Sequence, residues 1–399
     1  MIDNTVSEFI KLHENDDIRT LALQAKRYPY IDMPFAMNQI AGRQIARDKI
    51  PSWYNCNSIV YPLHISLEQC SSEKTAKYKA SLCNGDRLVD LTGGLGVDFY
   101  FMSLRFAQSV YVEKQTELAK LAEHNFNVLG LKNTTIVNCD AQLYLKEMPA
   151  VDTIYIDPAR RDVQGQKTVL IEDCSPNLVE IESLLEEKCK QFIIKLSPML
   201  DVTLALKKLK NVSEVHIISC YNECKELLFV KNNLNKYSEP VLHCINILEN
   251  SIQRFSFDQK EEEQQQPIYT TAIGEYLYEP NVSLLKAGAY KSVSSRYNLL
   301  KLHPNSHLYT SASLIEDFPG RLFIVKDILD FNKKNIKKLT VITQKANITT
   351  RNFPLSVNEI RKKTAIKEGG ELYIFATTLV DERKILVLCE KVNMRYAAT

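Results

Sequence analysis

Hydrophobic positions along the chain fall into three regimes. Up to residue 80 they recur at three- and four-residue intervals, the spacing of one apolar helix face. Val6, Phe9 and Ile10 open one helix, residues 18–28 continue the pattern, and 35–47 predict another. Pro29, Pro34, Pro51 and Pro62 punctuate this region, and 67–82 reads as a helix leading into the first strand. From 81 to about 250, short apolar runs alternate with helical patterns, which predicts a parallel, doubly wound sheet. Those runs are 87–91, 110–113, 134–138, 153–156 and 192–196, with 215–219 and 226–230 as a closing hairpin. The polar stretch 258–267 reads as a linker, and beyond it lies a smaller α+β region. There, 276–289, 292–302 and 356–364 are expected to be helical, and 322–325, 339–342, 371–377 and 385–390 to be strands.

The first strand runs into Leu88-Val89-Asp90-Leu91-Thr92-Gly93-Gly94-Leu95-Gly96-Val97-Asp98, with a helix expected over 98–106. Three glycines in four positions allow a sharp turn that a ligand can lie against, at the carboxyl edge of a parallel sheet. Such turns also serve dinucleotides and purely structural roles. The acids that follow narrow the reading. Glu113 ends the second strand about 20 residues after the glycines, where a carboxylate can accept ribose hydroxyls. Asp140 follows the third strand, and Asp157-Pro158-Ala159-Arg160-Arg161 the fourth. Acids at the ends of four successive strands suit a ligand with a charged methionine moiety, a ribose and an adenine.

A hydrophobic share of 45 % with 25 % charged residues is ordinary globular composition. No apolar run is long enough to span a bilayer, and the acidic-polar N-terminus lacks the layout of a signal peptide. The ten cysteines contain no CxxC pair. Cys220 and Cys224 have no second pair or nearby histidine to complete a zinc site, so free thiols in a reducing cytoplasm and no bound metal are expected. Net charge is only +2, yet Arg321, Lys326, Lys333, Lys334, Lys337, Lys338, Lys345, Arg351, Arg361, Lys362, Lys363 and Lys367 are opposed locally only by Asp327, Asp330 and Glu359. That excess can attract phosphates, or can be a solvated basic face without a ligand. Oligomeric state leaves no mark on the sequence.

With these residues in place, the chain resembles a bacterial family of class I S-adenosylmethionine (SAM) methyltransferases that carry a C-terminal THUMP-like domain. The resemblance rests on Leu67-Glu68-Gln69-Cys70-Ser71-Ser72, the Asp90 to Asp98 turn, Asp157-Pro158-Ala159-Arg160-Arg161, Lys195-Leu196-Ser197-Pro198 and Tyr278-Glu279-Pro280. It implies an α/β fold: a Rossmann-like seven-stranded sheet, a helical N-terminal region and a small α+β C-terminal part. The expected divisions are 1–80, a SAM-binding domain at 81–257, a ferredoxin-like piece at 268–315 and a THUMP-like domain at 320–395. It implies SAM as cofactor, held by Asp90, Thr92, Gly93, Gly94, Gly96, Asp98, Glu113, Asp140 and Asp157. Asp90 would bind the amino end, Glu113 the ribose and Asp140 the adenine. By analogy with THUMP domains, RNA is the implied substrate.

Asp157, Pro158, Arg160 and Lys195 are the candidates for the catalytic end. Enzymes that methylate exocyclic amines of bases usually show Asp/Asn-Pro-Pro-aromatic there; Ala159 and Arg160 replace the last two. Arg160 could stack on a base, grip a phosphate or pair with Asp162 or Glu113. A second constellation, Lys79, Asp157, Lys195 and Glu226, is similar in spacing to the Lys-Asp-Lys-Glu set that activates a ribose hydroxyl, with a buried Lys195–Glu226 ion pair as the alternative. Addition to pyrimidine carbon-5 would need a cysteine nucleophile, with Cys220 the weak candidate. Cys174 and Cys189 read as ordinary thiols. Ser71 and Ser72 read as helix caps; Trp53 and Tyr54 read as packing or part of a substrate mouth, and His64 as structural rather than catalytic. A protein or small-molecule substrate, and an RNA-binding protein with a vestigial cofactor domain, stay open as rival readings.

Overall fold

The computed structural model describes residues 3–62, 64–160, 171–233 and 239–392, with the backbone alone at 64–66 and 160. It divides into two compact units, Met1–Ser213 with Leu227–Ser238, and Glu214–Glu226 with Glu239–Thr399.

The first unit opens with α1 (Asn4–Leu12), α2 (Ile18–Leu23), α3 (Met33–Lys49) and α4 (Pro51–Tyr54). The first three start at Asp3, Asp17 and Asp32, whose carboxylates accept an otherwise orphaned N–H of the first turn. Their apolar faces, among them Phe9, Ile10, Leu21, Met33, Ala36 and Ile40, enclose a small core. The helix expected over 67–82 is two helices, α5 (His64–Gln69) and α6 (Glu73–Leu82). Ser72 separates them and caps the second, its Oγ accepting the Thr75 N–H.

Strands and helices then alternate: β1 (Arg87–Asp90), α7 (Val97–Ser103), β2 (Gln108–Val112), α8 (Thr116–Val128), β3 (Thr134–Val137), α9 (Ala141–Glu147), β4 (Val151–Ile156), the short β5 (Ala159–Arg160) and β6 (Cys174–Ser175), α10 (Leu178–Lys188), β7 (Cys189–Leu196) and α11 (Val202–Lys208). The chain passes through β8 (Glu214–Cys220), which clusters with the second unit, and returns as β9 (Glu223–Asn232). Within the first unit the order is β3-β2-β1-β4-β7-β9, parallel throughout except for β9. Leu88, Val89, Ile154, Ile156, Phe192 and Ile194 are buried, because strands covered on both faces must be apolar continuously. Parallel pairing brings the carboxyl ends of β1 to β4 to one edge. The helical region is fastened to α8: Val60 N–H donates to Asn125 Oδ1 and Asn125 Nδ2 donates to the Val60 carbonyl, both at 2.9 Å.

In the second unit β8 pairs in parallel with β10 (Val241–Ile247), which turns antiparallel into β11 (Ile252–Phe257); neither strand after β9 was expected from the sequence. The stretch 258–267, expected to be a linker, contains the helix α12 (Gln259–Gln264). Its Glu262 carboxylate accepts the N–H groups of Tyr290, Lys291 and Ser292, so the polar run is built into the fold.

The remainder is β12 (Tyr276–Pro280), α13 (Val282–Ala287), α14 (Ser292–Arg296), β13 (Leu300–Lys301), β14 (Tyr309–Ser311), β15 (Gly320–Asp330), α15 (Lys333–Ile342), β16 (Asn347–Arg351), α16 (Val357–Thr364), β17 (Leu372–Thr378) and β18 (Lys384–Lys391). They form a sheet of order β13-β14-β12-β15-β18-β17-β16. Three expectations fail here. Residues 276–289 are strand, then helix, because Pro280 and the Asn281 cap divide the apolar run. The helix over 292–302 stops at Arg296. Residues 339–342 close α15 instead of forming a strand: Asn332 caps that helix, Leu339 is buried and Val341 points to solvent. The expected helix at 356–364 is present, with a capping box between Ser356 and Glu359. Glu279 lies buried and binds Arg321 and Arg351, which joins β12 to β15 and β16.

Candidate active site

The glycine turn is shaped from two sides. Gly94 and Gly96 have φ of +56° and +83°, which L side chains rarely adopt. A Cβ on Gly93 would lie 2.1 Å from the Tyr111 ring, and one on Gly96 2.5 Å from Phe126. Two of the three glycines therefore let the turn sink onto its own core. Gly94 alone has open space above it, its nearest neighbour being the Thr92 carbonyl at 3.8 Å. That is the face a ligand can approach.

Glu113 sits under this face, with Oε2 accepting the Gly94 N–H at 2.9 Å and Oε1 the Gln115 N–H at 2.8 Å. Asp140 caps α9 through Oδ1, which accepts the Gln142 N–H at 2.9 Å, and the residue is exposed. Leu143, one turn along, leaves 58 % of its surface in solvent, an apolar platform beside an acid that the sequence reading missed. Asp90 lies beneath the turn: it is buried, and its Oδ1 accepts the Thr92 N–H at 2.9 Å. Burial pushes its carboxyl well above the usual carboxylate range, against the Thr92 hydrogen bond.

Asp98 belongs to a different arrangement from the one its place in the turn suggests. Its Oδ2 accepts the hydroxyls of Ser71 and Tyr155, both at 2.8 Å, and Lys79 Nζ lies 3.1 Å from Oδ1. Burial opposes ionisation, but the Lys79 and Lys195 charges and the two hydroxyls hold the carboxyl below its ordinary value. Ser71 is thus a member of this buried network, not a cap. Lys195 Nζ lies 3.7 Å from Asp98 and 2.5 Å from Asp157 Oδ2, bridging the interior to the sheet edge.

Asp157 is the outer end of that chain, with 38 % of its side chain exposed. Its N–H donates to Thr92 Oγ1 at 2.6 Å, tying the end of β4 to the glycine turn. Pro158 is buried behind it, and the next two residues pair with Ser175 and Cys174, so the backbone after the acid is extended. The Arg160 and His64 side chains, Arg161 and Asp162 lie outside the described residues. Lys79 is completely buried and turned to Asp98, so it does not stand beside Asp157 at the surface. Glu226 is buried in the second unit. Cys174, Cys189 and Cys220 are buried, and burial pushes the Cys189 thiol up to about 12, as expected of unreactive thiols. Trp53 is core and the Tyr54 hydroxyl donates to Glu14 Oε1, so both are committed to packing.

The basic stretch sorts into two sets. Arg321 and Arg351 bind Glu279, Lys326 pairs with Glu390, Lys338 with Asp327, and Arg361 donates to the Ile366 and Ala346 carbonyls. Lys333, Lys334, Lys337, Lys345, Lys362, Lys363 and Lys367 are exposed and form no ion pair among the described residues. Five of these seven are carried by α15 and α16.

No helix among the described residues is long and apolar enough to cross a membrane. Family models match the second unit: a ferredoxin-like domain over 276–319 and a THUMP domain-like region over 320–391. The chain is similar to a crystal structure from Porphyromonas gingivalis W83 described as a proposed methyltransferase. Identity is 35 %, the match covers 98 % of this chain and 100 % of that one, and the TM-score is 0.86. It is also similar to an uncharacterised S-adenosylmethionine-dependent methyltransferase of Mycobacterium tuberculosis, 19 % identical over 316 residues, covering 79 % of this chain and 83 % of that protein. An acid-lined glycine turn on a parallel sheet, followed by these C-terminal pieces and aligned end to end with the Porphyromonas gingivalis structure, places the chain in the family of class I S-adenosylmethionine-dependent methyltransferases with a C-terminal THUMP-like domain.

Proposed function

We propose that this methyltransferase acts on a base nitrogen of structured RNA. The observation that carries the choice of atom is the state of Asp157. Lys195 holds one carboxylate oxygen while the side chain stays partly open to solvent at the sheet edge. The lysine that a ribose-activating tetrad would need, Lys79, is buried against Asp98.

The residues of the turn fit SAM. Gly94 leaves its face open, Glu113 stands next to it for the ribose hydroxyls, and Asp140 with the Leu143 platform suits an adenine. Asp90, beneath the turn, acts on the cofactor's amino end through the turn it organises. When bound, SAM supplies a methyl carbon activated by the sulfonium it leaves. The substrate nitrogen would give its lone pair to that carbon, forming the N–C bond while the electron pair of the C–S bond would stay with the departing sulfur. Asp157 accepts a hydrogen bond from the substrate N–H, which aims the lone pair and receives the departing proton. Lys195 fixes the carboxylate for this task. The exposed lysines of α15 and α16 supply the attraction for RNA phosphates.

Incubation with labelled SAM and RNA from cells lacking the gene is expected to label one RNA species. Nucleoside digestion should then find the methyl on a base. Label only in matched protein or small-molecule fractions would refute the RNA reading, and label on ribose would refute the choice of atom.

Two further outcomes follow from the geometry. Replacing Lys333, Lys334, Lys337, Lys362 and Lys363 by alanine should weaken RNA binding and flatten its salt dependence, by about one in log–log slope for each lysine on a phosphate. An unchanged slope would remove this face from the interaction. Asp90→Asn should raise the melting temperature, because a carboxyl whose folded pKa is raised weakens the fold wherever it must ionise. The same change should lower SAM affinity on the order of tenfold, because the amide puts an NH2 group beneath the turn where the carboxyl offers a second acceptor oxygen. A variant that is both less stable and undiminished in SAM binding would contradict this reading.

A further inference from the structure

The second unit brings together two histidines and a glutamate that the methyl-transfer site does not use. Glu214 and His216 alternate along β8 and share one face of the sheet. His243 stands directly opposite His216 on the parallel neighbour β10. Glu214 Oε2 lies 3.0 Å from His216 Nε2 and 3.5 Å from His243 Nε2, and the two imidazoles stack with centroids 4.6 Å apart. One donor atom from each residue falls within 4.8 Å of the others. Donors about 2.0–2.1 Å from a tetrahedral zinc ion are separated from one another by roughly 3.3 Å. The two measured separations bracket that value.

We propose that Glu214, His216 and His243 form a binding site for a divalent transition-metal ion of the zinc type, with solvent as the fourth ligand. The surroundings support it. His243 Nδ1 lies 2.7 Å from Ser256 Oγ on β11; with Nδ1–H donating there, Nε2 presents its lone pair to the cluster. His216 is buried, whereas Glu214 keeps 44 % of its side chain in solvent, so an ion has a way in and a water has a place to bind. Arg254, also on β11, is the positive charge that acts on this group and opposes the ion. One carboxylate and two neutral imidazoles suit zinc better than calcium or magnesium, which prefer all-oxygen shells. The ion would add a side-chain clamp to the parallel pairing of β8 with β10, strands whose chain connection is the long excursion along β9. The pattern escapes a sequence search because His216 and His243 are far apart in the chain and meet only through strand register.

The test is titration of the chelator-treated full-length chain with ZnCl2 by calorimetry, beside His243→Ala, Glu214→Gln and Ser256→Ala, with circular dichroism to confirm that each is folded. One zinc per chain is expected. His243→Ala and Glu214→Gln should each weaken binding about 100-fold or more, and Ser256→Ala, which removes only the group that orients His243, about tenfold. Cobalt in place of zinc should give tetrahedral d–d bands without a thiolate charge-transfer band, which separates this cluster from the ten cysteines. No binding by the parent chain, binding untouched by the variants, or a thiolate band would each overturn the proposal. If Glu214 merely accepts two imidazole N–H groups, the first of these results follows.

Discussion

Asp157→Ala is expected to cut methyl transfer at least about 100-fold while leaving SAM affinity nearly unchanged. Asp157 is the only member of the buried Lys79–Asp98–Lys195–Asp157 chain with substantial exposure, and Lys195 and the Thr92 hydroxyl fix its position. Removing it takes away the acceptor that aims the attacking nitrogen. The cradle formed by Gly94, Glu113 and Asp140 is left standing. Single-turnover transfer of labelled methyl and calorimetric SAM binding read the two effects separately. Full activity in the variant would end the assignment, and equal losses in both measurements would make Asp157 a cofactor ligand instead.

Asp98→Ala should destabilise the first unit by about 3–5 kcal/mol, since it leaves a buried lysine without its counter-charge. Lys79 is completely buried, and Asp98 is the anion paired with it. For a unit of this size the loss corresponds to a fall in melting temperature of roughly 6–20 °C. The pH dependence has a definite sign. The folded pKa of Asp98 lies below its ordinary value of 3.8, so its contribution is whole above that pH and fades as pH falls toward the folded value. The gap between parent and variant should therefore close in acid. Combining Asp98→Leu with Lys79→Met should recover much of the loss, because an apolar pair leaves no charge stranded. Strict additivity of the two substitutions would show that the pair is not coupled.

These two residues also mark how far the sequence could be read. Asp157 stands out in the sequence by its place after a strand, and the structure brings it beside Lys195. The resemblance gives Asp98 to the cofactor. Its partners, Ser71 and Tyr155, lie 27 and 57 positions away, and nothing in local spacing connects them. Ser71 was read as a cap because it precedes a helix, yet Ser72 does the capping. The glycines were rightly placed in a turn, but Gly93 and Gly96 are required by the rings of Tyr111 and Phe126, a reason visible only once those rings are packed.

The secondary structure divides along the same line. Strands β1, β2, β3, β4 and β7 follow from local composition, because a strand buried on both faces has to be apolar along its length. The helix at 356–364 follows from a capping box that is local by nature. Residues 339–342 and 276–289 misled because β-branched and apolar residues sit in either element, and the choice is made by packing. The charge run was legible as a run; which of its members face solvent depended on Glu279, Asp327 and Glu390.

By itself, then, the sequence determined a doubly wound sheet with acids at its strand ends, a cofactor class and an α+β tail, since each depends on interactions within a few residues of chain. The tertiary structure alone decided that Lys79 serves Asp98, that Lys195 bridges to Asp157, and that two distant histidines converge on Glu214. Those are side-chain pairings across the fold, set by strand register and burial, to which sequence distance is no guide.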